Sequence, residues 1–88
     1  MTIKEVIIEF CESNGLSYRT DYSGRCMYGR TCFGIICDDV MGTLVQLCDV
    51  IRDNLENRNA YDELGSPRTD SLGLETILYF PFANIEMN

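Results

Sequence analysis

Hydrophobic periodicity changes repeatedly along this 88-residue chain, and the order of the changes most constrains the fold. The pattern is helical at the start, strand-like in the next two segments, helical again and then strand-like. Two amphipathic helices can bury their apolar stripes by packing on one face of a three-stranded, mostly antiparallel sheet. We therefore predict a two-layer α+β fold with the order α-β-β-α-β, in a single domain that spans residues 1–88.

The first helical segment begins with a helix-capping sequence. In Thr2-Ile3-Lys4-Glu5 the threonine hydroxyl and the glutamate carboxylate can each accept a hydrogen bond from a free amide of the first turn. Apolar residues then recur at helical spacing, at Ile3, Val6, Ile7, Phe10 and Cys11. Gly15 can adopt the left-handed conformation that ends a helix. These signals predict the first helix over residues 2–13.

Two strand patterns follow the first helix. Residues 16–22 alternate, which places Tyr18 and Tyr22 on the same predicted face. Residues 31–37 are continuously apolar and rich in strand-forming residues, so we predict that the two strands pair in antiparallel fashion. Gly34, inside the second strand, predicts either a bulge or a close backbone approach.

A second amphipathic helix is predicted after Asp38-Asp39, which resembles a cap. Its apolar stripe contains Val40, Leu44, Leu47, Cys48, Ile51 and Leu55, with Met41 and Val45 beside it. The pattern weakens at residues 57–59, where the helix either ends or continues irregularly to Leu64. Gly65-Ser66-Pro67 is a definite break.

The third strand is predicted over residues 72–82, with Pro81 ending its regular pairing. The connection over residues 57–71 is long enough for us to expect a mobile segment. A right-handed crossover from strand two would place strand three beside strand one, giving the strand order 2-1-3.

The segment over residues 23–34 has a composition that core packing does not require. Glycines stand at positions 24, 29 and 34, and an arginine follows each of the first two. Residues 24–31 differ from the phosphate-loop pattern G-x-x-x-x-G-K-[ST] only by an arginine in place of the lysine. That loop leads into a helix whose amides hold phosphate, whereas a strand is predicted here. We therefore do not expect nucleotide binding.

Two interpretations of this segment remain open. In one, the glycines bend a long hairpin connection, and Arg25 and Arg30 are solvated or paired within the domain. In the other, Arg25, Met27, Tyr28 and Arg30 form an exposed surface that contacts a protein partner. Tyrosine, methionine and arginine are enriched at protein interfaces, which supports the second interpretation.

Charge restricts the class of partner. The formal net charge of −7 argues against direct binding to nucleic acid or to an anionic membrane, because phosphates would be repelled. A basic, nucleic-acid-binding protein is the complementary partner. Asp49, Asp53 and Glu56 on the second helix are predicted to imitate nucleic-acid phosphates toward it. The alternative is that the acidity only keeps a small protein soluble.

Cysteine usage does not indicate a metal site or a catalytic nucleophile. The chain has five cysteines, no histidine and no C-x-x-C pair, so we predict free thiols, with Cys26 the most exposed. A nucleophilic cysteine would lack a histidine base, and Asp38-Asp39 is better explained as a helix cap. We predict a protein that is not an enzyme and that needs no cofactor or metal. A membrane span and a signal peptide are not predicted either, so we expect a cytosolic protein.

The segment Tyr22-Ser23-Gly24-Arg25-x-Met27-Tyr28-Gly29, together with the length and charge, resembles one class of proteins. These are the small acidic proteins of bacteriophages and mobile elements, which include anti-CRISPR and other anti-defence inhibitors. The resemblance implies a stoichiometric inhibitor that covers the nucleic-acid site of a host protein in the host cytoplasm. It assigns no residue, because no shared motif carries one.

Two other functions remain open from the sequence. A self-associating structural or adaptor module would form a homodimer through the exposed loop and the edge of the third strand. A small enzyme or nucleotide binder would show a thermal shift with a panel of nucleotides.

Overall fold

The structure, a computed structural model, describes residues 2–24, 27–55 and 60–83. The helices are α1 (Ile3–Ser13), α2 (Val40–Leu55) and α3 (Ala60–Leu64). The strands are β1 (Ser17–Tyr22), β2 (Cys32–Ile36), β3 (Arg68–Leu72) and β4 (Glu75–Tyr79). They form one antiparallel sheet in the order β1-β2-β4-β3, so the predicted α+β class is confirmed.

Both long helices begin at the predicted caps. The hydroxyl of Thr2 accepts from the amide of Glu5 at 3.1 Å, and the amide of Thr2 donates to the Glu5 carboxylate at 3.3 Å. The carboxylate of Asp39 accepts from the amide of Gly42 at 3.0 Å, which satisfies a free donor in the first turn of α2. Gly15, just beyond α1, has a φ of 66°, as its predicted role in ending that helix requires.

The prediction of three strands is wrong, because the chain forms a β3–β4 hairpin over residues 68–79, whereas one long strand was expected over residues 72–82. β3 ends at Leu72, Gly73 turns with a φ of 65°, and β4 begins at Glu75, its partner across the hairpin. β3 lies within the connection expected to be mobile. Its sequence, Arg-Thr-Asp-Ser-Leu, is polar because an edge strand is largely solvated, and so it lacks the apolar alternation of a half-buried strand.

The predicted strand order 2-1-3 is also wrong. β4 lies beside β2, with Gly34 opposite Tyr79 and Ile36 opposite Ile77, and β1 forms one edge of the sheet. The connection through α2 and α3 leads to the far edge, where β3 forms. The hairpin then returns β4 to the space between β3 and β2. Because β4 of this hairpin pairs with β2, the only neighbour of β1 in the four-stranded sheet is β2.

The two faces of the sheet are covered by different parts of the chain. We call the side contacted by the helices the helix face, and its core residues include Phe33 and Ile35 of β2, Leu78 of β4 and Phe80 just beyond β4. They pack against buried residues of the helices, namely Ile3, Val6, Ile7, Phe10, Cys11, Leu47, Ile51 and Leu64. Tyr18 extends this core by stacking on Phe33 with ring centroids 5.4 Å apart.

The opposite side, which we call the loop face, has a smaller core. Its buried members are Tyr22, Met27, Cys32, Ile77 and Tyr79. The register shifts between Arg19 and Tyr22, which marks a bulge in β1. The bulge adds one residue and so turns Tyr22 to the loop face, whereas alternation predicted it on the same face as Tyr18.

Candidate protein-binding turn

The described residues between β1 and β2, 23–24 and 27–31, lie at the loop face and are held there by Met27. The Met27 side chain is only 2% exposed. Its sulfur accepts from the amide of Gly24 at 3.1 Å and from the thiol of Cys32 at 3.9 Å. The expectation that Met27 belongs to an exposed contact surface is therefore wrong. The apolar residues of the loop face must be shielded from water, and the flexible Met27 side chain fills the irregular space beside them.

Gly24 allows the loop to approach the sheet closely. A Cβ atom at this position would lie 3.0 Å from ring carbons of both Tyr22 and Tyr79. Those two rings are tilted against each other with centroids 5.0 Å apart. Gly34 of β2 also allows a close contact, since a Cβ atom there would lie 2.6 Å from Cδ1 of Ile77. The close approach at Gly34 is made by a side chain and not by backbone as predicted, and the bulge lies in the neighbouring strand β1.

A hydroxyl of the loop face connects the two edge strands. Tyr22, at the end of β1, donates a hydrogen bond of 3.0 Å to the carboxylate of Asp70 on β3. Burial of the phenol, followed by its hydrogen bond to Asp70, raises the pKa of Tyr22 to about 12. The hydrogen bond therefore connects the two edge strands on the loop face, in addition to the side-chain packing there.

Beyond Met27 the chain makes a tight turn that presents Tyr28. The amide of Arg30 donates to the carbonyl of Met27 at 3.0 Å, with φ values of 50° at Tyr28 and 85° at Gly29. Positive φ at both central residues defines a type I′ turn, which favours Asn, Asp or Gly at its first central position. Tyrosine in this left-handed conformation costs about 1–2 kcal/mol.

The side chain of Tyr28 is not buried against the domain, so burial does not offset that strain. It is 92% exposed, and Arg30 beside it is exposed as well. The turn therefore presents a tyrosine and an arginine to solvent from a base that Met27 holds in place. Arg25, the remaining predicted contact in this segment, lies outside the described residues, as does Cys26.

The acidic residues predicted to contact a partner lie in the other layer of the molecule. Asp49 and Asp53 are exposed on α2, and Asp49 pairs with Arg52 one turn along the helix. Glu56 lies outside the described residues. Because α2 covers the helix face and the turn belongs to the loop face, the structure does not bring the two predicted groups together.

The described thiols are poorly suited to nucleophilic chemistry. Cys11, Cys32 and Cys37 are buried and Cys48 is half-buried, which confirms the prediction of free, buried thiols for the first three. Burial raises the pKa of each of the four, and that of Cys11 reaches about 12. In the part of the chain that the structure describes, no group of three acidic or cysteine side chains is arranged to hold a metal ion.

Comparisons of the chain with protein-family models, with curated proteins and with solved structures find no match. Within residues 2–24, 27–55 and 60–83, no helix combines the length and apolar character needed to cross a bilayer. The function must therefore be argued from the turn and its surroundings.

Several residues that shape the site were missed from the sequence. The roles of Tyr22, Tyr79 and Asp70 depend on the bulge in β1 and on the hairpin, neither of which was predicted. One local sequence feature did point to this site. Tyr28-Gly29 stands where a two-residue turn favours Asn-Gly, so turn preference does not explain the tyrosine.

Proposed function

We propose that the protein is a non-enzymatic, stoichiometric inhibitor that binds a host protein through the turn at Tyr28 and Arg30. The observation that carries the proposal is the strained and almost fully exposed Tyr28 above a buried anchor. Backbone strain concentrates at functional sites, and tyrosine and arginine dominate the energetic centres of protein interfaces. A turn anchored on a sheet also loses little conformational entropy when it binds.

The acidic character supports a basic protein as the partner. A formal net charge of −7 favours encounter with a basic protein, and basic surfaces are typical of proteins that bind nucleic acid. Asp49, Asp53 and Glu56 contribute to this long-range attraction, which does not require them to touch the partner. With the resemblance to small phage-encoded proteins, this supports an anti-defence role in the cytoplasm of the host, of which anti-CRISPR inhibition is one form.

The proposal is tested by measuring the affinity for a partner captured from host lysate, with variants at two different turns. Tyr28→Ala and Arg30→Ala are expected to weaken binding by about 30-fold, the size of an interface hot spot. Leu74→Ala is the matched control, because Leu74 is a fully exposed apolar residue at the tip of the β3–β4 turn. Equal affinity of all three variants and the unmodified protein would refute the assignment.

A separate measurement addresses strain. Tyr28→Gly removes the left-handed tyrosine, so the free energy of unfolding should stay the same or rise by up to about 1 kcal/mol while partner binding is lost. Tyr28 would instead be a structural residue if Tyr28→Gly destabilised the fold.

Reversing the acidic residues tests the role of charge. Asp49→Lys, Asp53→Lys and Glu56→Lys together should slow association with the partner by about tenfold at low salt and leave dissociation nearly unchanged. An unchanged association rate would remove electrostatic attraction from the proposal, leaving the contact at the turn.

Self-association is the second candidate function. β3 is an edge strand that pairs with β4 over five residues without a bulge, whereas the other edge, β1, is interrupted by one. A regular edge can pair with a second copy, and a bulged edge resists this. Light scattering at several concentrations distinguishes the candidates, because a strict monomer excludes the homodimer.

A further inference from the structure

A groove between α1 and α2 is lined by apolar residues of the main core and by exposed polar residues. Its volume is about 140 Å³. Val6 and Phe10 are buried at its floor, and Val50 is half-buried. An engineered cavity of about 150 Å³ in another protein admits benzene, so this groove has room for one side chain.

The rim of the groove is polar and rich in hydrogen-bond acceptors. It is formed by the exposed residues Glu9, Ser13, Asn14 and Asn54. The amide nitrogen of Asn14 donates to the carbonyl of Phe10, and that of Asn54 donates to the carbonyl of Val50, both at 2.8 Å. Each amide therefore uses one N–H of its nitrogen on its own helix, and its oxygen is still able to accept a hydrogen bond from a ligand.

From this arrangement we propose that the groove binds a lysine side chain of a protein partner. The aliphatic stem of the lysine would lie on Val6, Phe10 and Val50, because long cationic side chains bury their methylene groups on apolar surface. The ammonium would remain at the rim, where Glu9 supplies the negative charge. The carbonyl oxygens of Asn14 and Asn54 supply neutral acceptors.

Lysine fits this rim better than arginine does. An ammonium carries three donors that can point toward three separate acceptors, and the rim offers one carboxylate and two amide oxygens. A guanidinium is planar and is best satisfied by a carboxylate bound in bidentate fashion. An uncharged apolar side chain could pack on the floor but would make no charge-assisted hydrogen bond with the carboxylate at the rim.

The inference rests on the proposed function in one respect, namely that the lysine is supplied by a protein partner. The groove belongs to the helical layer and the turn to the loop face, so the two sites can be tested one at a time. A test with a small probe needs no partner. Its failure would leave the role of Tyr28 standing, and failure of the Tyr28 variants would leave the groove standing.

The test is an NMR titration of the ¹⁵N-labelled protein with N-acetyl-lysine N-methylamide. We expect saturable shifts of the backbone amides of Phe10, Asn14, Val50 and Asn54. The norleucine analogue, which has the same alkyl chain but no ammonium, should bind at least about threefold more weakly. The arginine analogue should also bind more weakly than the lysine analogue.

Glu9→Gln should weaken the lysine probe by about threefold. Glu75→Gln is the matched control, because it removes the same charge from an exposed position on β4 that does not line the groove. Shifts confined to other regions, equal binding of the norleucine analogue, tighter binding of the arginine analogue, or equal effects of the two substitutions would each overturn the proposal.

Discussion

The two faces of the sheet are stabilised in different ways. On the helix face, two capped helices bury a continuous aliphatic and aromatic core, to which β2 and β4 contribute Phe33, Ile35 and Leu78, and to which Phe80 is added just beyond β4. On the loop face, the buried cluster is smaller and consists of two tyrosines, a methionine, a cysteine and an isoleucine. The candidate binding turn belongs to the loop face. A binding site on that side can vary at little cost to the main core.

Truncating one buried side chain on each face should give the largest difference between them. Phe33→Ala removes a fully buried ring from the helix face and should lower the free energy of unfolding by about 3–5 kcal/mol. Met27→Ala on the loop face should cost about 2 kcal/mol, because the loop can settle into the space that the side chain leaves. Urea denaturation followed by circular dichroism measures both.

If Met27→Ala proved as costly as Phe33→Ala, the loop face would be as important to stability as the helix face. The contrast between the two would then be wrong. Tyr28→Phe is a suitable control for these measurements, because Tyr28 is exposed and belongs to neither core.

Close packing on the loop face can be tested at Gly34. Gly34→Ala would place a methyl group 2.6 Å from Cδ1 of Ile77, which is fully buried, so we expect a loss of about 1–3 kcal/mol. Ile77→Val removes that Cδ1 atom. The double variant should therefore be less destabilised than the sum of the two single variants, as a thermodynamic cycle from urea denaturation would measure. Simple additivity would show that the contact does not limit the space at Gly34.

The smallest effect concerns the hydroxyl that joins the edge strands. Tyr22→Phe should cost about 1 kcal/mol, because it removes the hydrogen bond to Asp70. Tyr22 has its pKa raised to about 12 in the folded protein, and an unfolded tyrosine ionises near pH 10. The unfolded state therefore loses its proton first, and this contribution to stability is complete below pH 10 and declines between pH 10 and 12.

Urea denaturation over that pH range, compared between variants, isolates this residue from other groups that titrate there. The decline in stability with pH should be shallower in Tyr22→Phe than in the unmodified protein. Identical slopes in the two proteins would mean that Tyr22 ionises equally easily in the folded and unfolded states.

Local signals were sufficient for the two long helices and for two of the strands, whereas the short helix α3 was not predicted as a separate element. The capping box at Thr2, the cap at Asp39 and the break at Gly65 depend on neighbouring residues, and the structure has each of them in place. Helical periodicity likewise identified the buried stripe of α1. These features could be predicted because their hydrogen bonds and packing directions are set within a few residues along the chain.

The candidate site was predicted only in part, and the burial of Met27 shows why. Methionine, tyrosine and arginine in one glycine-rich loop are typical of an interface, and two of those side chains, Tyr28 and Arg30, are indeed exposed. Nothing in the local sequence reveals that Cys32, Ile77 and Tyr79 leave an apolar surface that the loop must cover. Which residue turns inward depends on that distant surface.

The sequence by itself determined the α+β class, the ends of the first helix, the start of the second, and the breaks at Gly15 and Gly65. Only the tertiary structure decided that a polar segment becomes β3, that β4 lies beside β2, and that a bulge turns Tyr22 toward Asp70. The physical reason is that strand pairing satisfies backbone groups of residues far apart in the chain. Such pairing leaves little trace in the side chains of an edge strand, because those side chains remain in water.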